Sequence, residues 1–308
     1  MFDTINLWLP IDDAGIHNFD KSIKSLNQIN ECINDDGQVS IHGNLNNYKV
    51  KLSGKGVSLK GSLAKYYLPD NFHTLTRSDT ARAIEKLSDE INLPIHLAKV
   101  SRIDFAQNLI MNYEPQAYYS FLGECQYYKR QKWENSLYYK NENRTKLFYN
   151  KIKEGKSKGL KLPDVWNGQN VLRYEMRFTK RIKKQFNQLE INASNLSDEK
   201  FYMKIFDKWM DEYTAINKIN NLKFDLSKMK SPKDYLNNLL LRQILIDGQD
   251  KIMQEIEDLR HLKTFEKPEY YSRLKKQIKQ LCKSQLTTSS ELIFELDKKI
   301  KATKNNYR

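Results

Sequence analysis

The chain has 308 residues, 39 % of them hydrophobic, which is enough for one large domain or two ordinary ones with a real core. Its formal charge of +14 is spread along the whole length, so nucleic acid is the favoured partner, and its eighteen tyrosines offer faces on which unpaired bases stack. Cys32, Cys125 and Cys282 are far apart and in no CxxC pattern, which argues against a disulfide framework and a structural zinc site. No run of about 18 apolar residues reads as a membrane span. The first ten residues lack a basic region followed by a long apolar core, so no export signal is expected and a reducing cytoplasm fits.

Thr4-Ile-Asn-Leu-Trp-Leu9 alternates and stops at Pro10, the pattern of a first strand. A polar stretch to about residue 36 reads as helix or loop. Residues 48–53 and 57–64 alternate about Gly54-Lys-Gly56 and predict a hairpin with basic residues on one side. Ser78-Asp-Thr80 has the composition of a helix cap, with Ala83, Ile84, Leu87 and Ile91 at helical spacing before Pro94. A strand over 100–110 precedes a helical aromatic segment, 117–122. Residues 135–140 and 145–151 flank Asn141-Glu-Asn-Arg144 as a second hairpin. A lysine- and glycine-rich connection, 153–162, leads to Pro163 and a strand over 171–178.

Beyond about residue 190 the period becomes helical. Ser197-Asp-Glu opens a helix with Phe201, Ile205, Trp209 and Tyr213 on one face; Ser231-Pro232 opens another, and 269–281 and 290–300 read as two more. Residues 302–308 are expected to be disordered. The fold class expected is α+β: a mainly antiparallel central sheet with packed helices over residues 1–190, followed by a helical C-terminal module, 191–308.

On a strand through Leu147-Phe-Tyr-Asn-Lys151, the side chains of Leu147, Tyr149 and Lys151 share a face. A phenol beside a fixed cation suits attack on a phosphodiester, with help, since its reference pKa is near 10. Tyr138 and Tyr139 on the partner strand are the alternatives. Arg102 and Asp104 share a face of one strand, as do Arg173, Glu175 and Arg177 of another. A mid-strand acid is costly to bury unless a cation lies beside it. Two resolutions stand open: salt bridges, from Arg173 to Asp104 or Arg102 to Glu175, or both carboxylates facing a hard divalent cation, Mg2+ or Mn2+. There is no GxxxxGK[ST] loop to suggest an ATPase. The five histidines, His17, His42, His73, His96 and His261, are isolated, and no His-hydrophobic-His triplet, the metal site of many tyrosine nickases, occurs.

The order of several short segments resembles the phage and plasmid replication proteins of the gene II/X family. They are Phe2-Asp-Thr-Ile-Asn-Leu-Trp-Leu-Pro10, Lys60-Gly-Ser-Leu-Ala-Lys65 with Pro69-Asp-Asn71, Ser101-Arg-Ile-Asp104, Ser136-Leu-Tyr-Tyr139 with Lys146-Leu-Phe-Tyr-Asn-Lys151, and Val171-Leu-Arg-Tyr-Glu-Met-Arg177. Tyr66-Tyr-Leu-Pro-Asp-Asn71 departs from the family's glycine-containing turn. The resemblance implies a Rep nickase-like fold and an endonuclease that nicks one strand of origin DNA for rolling-circle replication and later rejoins it. Tyr149 would be the nucleophile, Asp104 and Glu175 metal ligands with Asp3 in support, and Lys151, Arg102 and Arg173 stabilisers of phosphate or phenolate. Arg177, Lys60 and Lys65 would hold DNA. Implied partners are the origin, at a junction of single strand and duplex, and a host helicase and polymerase in the bacterial cytoplasm. Two rival readings are a non-catalytic DNA- or RNA-binding regulator and a hydrolytic nuclease that uses metal alone.

Overall fold

A computed structural model describes residues 1–15, 18–33, 35–68, 70–218, 230–247, 249–283 and 291–305; His17 and Pro69 lie outside the described residues. The alternating start forms strand β1 (Phe2–Pro10), which sends Phe2, Ile5, Leu7 and Leu9 into the core. Two short helices, α1 (Ile11–Ala14) and α2 (Asp20–Lys24), lead to a meander of β2 (Asn27–Ile33), β3 (Val39–Leu45), β4 (Tyr48–Ser53) and β5 (Gly56–Ser62). All seven residues of β2 are exposed, so this strand carries no apolar alternation, and the sequence there reads as helix or loop. Gly56 is required where β5 meets β1: at φ +151° its absent Cβ would lie 2.4 Å from the Leu9 carbonyl oxygen.

Helices α3 (Leu63–Tyr67) and α4 (Arg77–Ile91) follow. Thr76, two residues before the expected Ser78, caps α4: Asp79 N donates to its hydroxyl at 3.1 Å while Thr76 N donates to the Asp79 carboxylate at 3.0 Å. Strand β6 (Lys99–Met111), α5 (Pro115–Tyr119) and the strands β7 (Leu122–Cys125), β8 (Lys129–Lys132), β9 (Ser136–Lys140) and β10 (Arg144–Asn150) come next. The first half of the expected 153–162 connection is instead part of helix α6 (Lys151–Ser157), followed by β11 (Asn170–Phe178) and α7 (Ile182–Gln185). The remainder comprises α8 (Glu199–Thr214), β12 (Ile216–Lys218), α9 (Pro232–Asp247), α10 (Gln249–His261), α11 (Glu269–Lys283) and α12 (Glu291–Asn305). Residues 302–305, expected to be disordered, continue α12; residues 306–308 lie outside the described residues.

Ten strands form one antiparallel sheet in the order β2-β3-β4-β5-β1-β6-β11-β10-β9-β8, while β7 pairs with β12 separately. The expected α+β class is the observed one, with a helical region after residue 230. One face of the sheet is dry. Phe148 stacks on Tyr174 at 4.5 Å between centroids, Tyr174 meets Trp209 of α8 at 4.8 Å, and Phe105 meets Tyr202 at 5.8 Å. Ile293, Leu296 and Ile300 of α12 join this core, whereas Ile244, Ile256, Tyr271 and Ile278 form a small cluster of their own. Among the described residues no helix is long and apolar enough to cross a membrane.

Candidate active site

The polar face of the sheet takes its content from strand register. On β10 and β11, Tyr149 lies opposite Arg173 and Leu147 opposite Glu175. On β11 and β6, Arg173 lies opposite Asn108, Glu175 opposite Ala106 and Arg177 opposite Asp104. Because side chains alternate, this register gathers Tyr149, Arg173, Glu175, Arg177, Asp104 and Asn108 on the face away from the aromatic core. Three strands far apart in the chain therefore supply one cluster.

Neither expected cross pairing, Arg173 to Asp104 or Arg102 to Glu175, occurs among the described residues; most of the pairs run along a strand. Arg102 grips Asp104 with two bonds, Nε to Oδ1 at 2.8 Å and Nη2 to Oδ2 at 2.6 Å. Arg177 Nε reaches Glu175 Oε1 at 2.6 Å and Asp104 Oδ2 at 3.9 Å. Arg173 Nε donates to Glu175 Oε2 at 3.3 Å, its Nη2 to Asp3, and its Nη1 to the Asn71 carbonyl and Asn108 Oδ1, both at 3.1 Å. Asp104, Arg173 and Glu175 are buried, while the side chains of Arg102 and Arg177 are 31 % and 32 % exposed and free to exchange partners with a ligand.

Burial pushes the Asp104 carboxyl up, opposed by Arg102 and assisted by Glu175, to about 6. Burial would also raise Asp3, but Arg173, Ser62, Lys151 and Asn71 together hold it below the ordinary range. The Tyr149 hydroxyl donates to Glu175 Oε2 at 3.4 Å. Burial raises this phenol well above its usual value; Arg173 works against that and Glu175 with it.

Lys151 is not a strand residue. Strand β10 ends at Asn150, whose Oδ1 accepts from Lys153 N at 3.0 Å and caps α6, so Lys151 opens the helix. Its buried ammonium reaches Asn71 Oδ1 and Glu154 Oε2, each at 2.8 Å, and burial, with Arg173, lowers its pKa. Lys60, exposed on β5, lies opposite Asn6 of β1, which in turn lies opposite Arg102. Two strand spacings put it about 10 Å from the Arg102 strand. Lys65 sits in α3, outside the cluster. Asn71, Asn108 and Glu154 were not singled out from the sequence as site residues. Asn108, four residues beyond Asp104, carries the same period-two signal and was open to detection.

Among the described residues no group of three or more His, Cys, Asp or Glu side chains is placed to hold a metal ion. Asp3 belongs to Arg173, Ser62 and Asn71 rather than to Asp104. Asp104 and Glu175, on adjacent strands, are two carboxylates close enough for Glu175 to raise the Asp104 pKa. Arg102 closes on Asp104 and Arg177 on Glu175, so a divalent cation, which keeps several waters and takes phosphate oxygens for the rest, would reach these carboxylates only by displacing an arginine.

The sheet face thus sets a tyrosine beside internally paired arginines and carboxylates, with Arg102 and Arg177 partly exposed. The family described as the N-terminal region of the replication-associated gene II protein of phages matches residues 1–212, and the chain belongs to that family of phage replication initiators, whose work is on DNA. No curated protein matches the chain.

Proposed function

We propose that the protein starts rolling-circle replication by nicking one DNA strand through tyrosine transesterification. The Tyr149 oxygen attacks a phosphodiester phosphorus, the bond to the 3′ oxygen breaks, and the 5′ end stays as a phosphotyrosine. The released 3′-OH serves a polymerase. The phenolic proton passes towards Glu175, which already accepts its hydrogen bond, and the leaving 3′ oxygen takes a proton from solvent. The bond energy is conserved, so rejoining needs no ATP. The partly exposed Arg102 and Arg177 hold the phosphate oxygens, while buried Arg173 favours the phenolate and Lys151 supports the cluster through Asn71. A divalent cation held by Asp104 and Glu175 would polarise the phosphate and favour phenolate. The single observation that carries the reading is the convergence of Tyr149, Glu175, Asp104 and Arg173 on one sheet face.

The test uses supercoiled origin DNA with magnesium. Wild type should yield open circles, Tyr149→Phe none, and Asp104→Ala and Glu175→Ala none while still retarding DNA. Full nicking by Tyr149→Phe sinks the assignment. The arginine pairs closed on both carboxylates favour a second reading, a non-catalytic DNA-binding regulator, which predicts salt-dependent binding, indifference to chelators and no nicked product.

A further inference from the structure

A cavity of about 350 Å3 opens beside Tyr149, between the β9–β10 face and α6. The register sets Ser136 opposite Tyr149 and Tyr138 opposite Leu147, so Tyr138 and Tyr149 point to the same side of adjacent strands. Asn135 and Ser136 from the β9 side and Lys153 and Lys158 from the α6 side also line it. Glu154 also lines the cavity, but its charge is met by Lys151 and Lys158. Lys153, Lys158 and Arg177 against Glu154 give the lining residues a formal positive excess, with Lys153 also meeting Glu114 at 3.5 Å and Arg177 meeting Glu175 at 2.6 Å.

We propose that this cavity takes one unpaired nucleotide of single-stranded DNA, next to the phosphate that Tyr149 attacks. The inference rests on the nicking reading for its position and on the cavity's own chemistry for its ligand. The volume suits a nucleoside and not a base pair. The half-buried Tyr138 ring lines the cavity; Lys140 Nζ stands over it at 4.7 Å from its centroid, and a base that stacks on the ring shares it with or displaces that ammonium. Asn135 accepts from Gln116 Nε2 at 2.8 Å through its amide oxygen, and among the described residues its NH2 has no protein partner, leaving a donor for a base edge. Lys153 and Lys158 supply the phosphate contacts. A base that stacks here has left its pair, so the proposal has the cavity favour melted over duplex DNA.

The test scans an origin oligonucleotide with 5-iododeoxyuridine at each position in turn, in chelator so that no strand is cut, and maps photocrosslinks by mass spectrometry. The proposal predicts that Tyr138 crosslinks from a nucleotide flanking the nick. It also predicts that Tyr138→Ala weakens single-strand binding at least about fivefold, that Tyr138→Phe does not, and that duplex binding is unchanged in both. Unchanged thermal melting of Tyr138→Ala guards against a folding defect. Crosslinks confined to residues outside the cavity, or from positions away from the nick, overturn it. A parallel reaction with magnesium separates the two readings: nicking there without a Tyr138 crosslink in chelator removes the cavity proposal alone. A Tyr138 crosslink in chelator with no Tyr149 adduct in magnesium removes the nicking reading, and with it the cavity's place beside a scissile phosphate.

Discussion

Arg173 is 2 % exposed and carries the electrostatics of the site, touching Asp3, Glu175, Asn71 and Asn108 at once. Removing its charge strands two buried carboxylates, so Arg173→Leu should lose about 3–5 kcal/mol in urea unfolding. Asp104 behaves in the opposite sense. Its folded pKa, about 6, lies above the unfolded value of 3.8, so its proton stabilises the fold below about pH 4, and that stabilisation is lost as pH rises through about 6. Asp104→Asn, which mimics the protonated acid, should therefore melt at pH 8 no lower than wild type while failing to nick. By the same titration, magnesium affinity measured by calorimetry should fall about tenfold per pH unit below about 6. Period-two spacing made Asp104, Glu175 and Tyr149 legible in the sequence. Their pairing was not legible: whether an arginine bonds along its own strand or across to the next depends on register and rotamer, which no single strand encodes.

The junction of β10 and α6 shows how far local pattern carries. Alternation over residues 145–150 marks the strand, but the switch to helix at Lys151 rests on the Asn150 cap, and Gly155, Gly159 and a run of lysines disguised the helix as linker. Gly155 is there for proximity: a Cβ would meet Leu162 Cδ2 and Phe72 Cζ at 3.0 Å. Asn150→Ala should cost about 1 kcal/mol and speed amide exchange over residues 151–157, because the first turn of α6 loses its acceptor. Exposed β2 escaped notice for the reverse reason, since an edge strand with no buried face leaves no periodic trace.

At the scale of the molecule, the change to helical period near residue 190 could not reveal which helices pack on the sheet. Helix α8 supplies Trp209 and Tyr202 to the main core, and α12 returns from the far end of the chain. Tyr118 donates to Glu295 and Tyr213 to Asp297 at 2.6 Å, tying α12 to α5 and α8. Deleting residues 291–308 removes Ile293, Leu296 and Ile300 from that core and should lower stability by roughly 5 kcal/mol or more in guanidinium unfolding. The net charge of +14 favours DNA as a partner without saying where it binds, and the proposed chemistry is assigned to the sheet face by the cluster around Tyr149. The most direct test is to trap the covalent intermediate: incubate the protein with magnesium and single-stranded origin DNA, denature, digest and sequence the DNA-linked peptide. A 5′-phosphotyrosine at Tyr149, absent from Tyr149→Phe, is the predicted result; a linkage at Tyr138, Tyr139 or any other residue, or cleavage with no linkage, contradicts it.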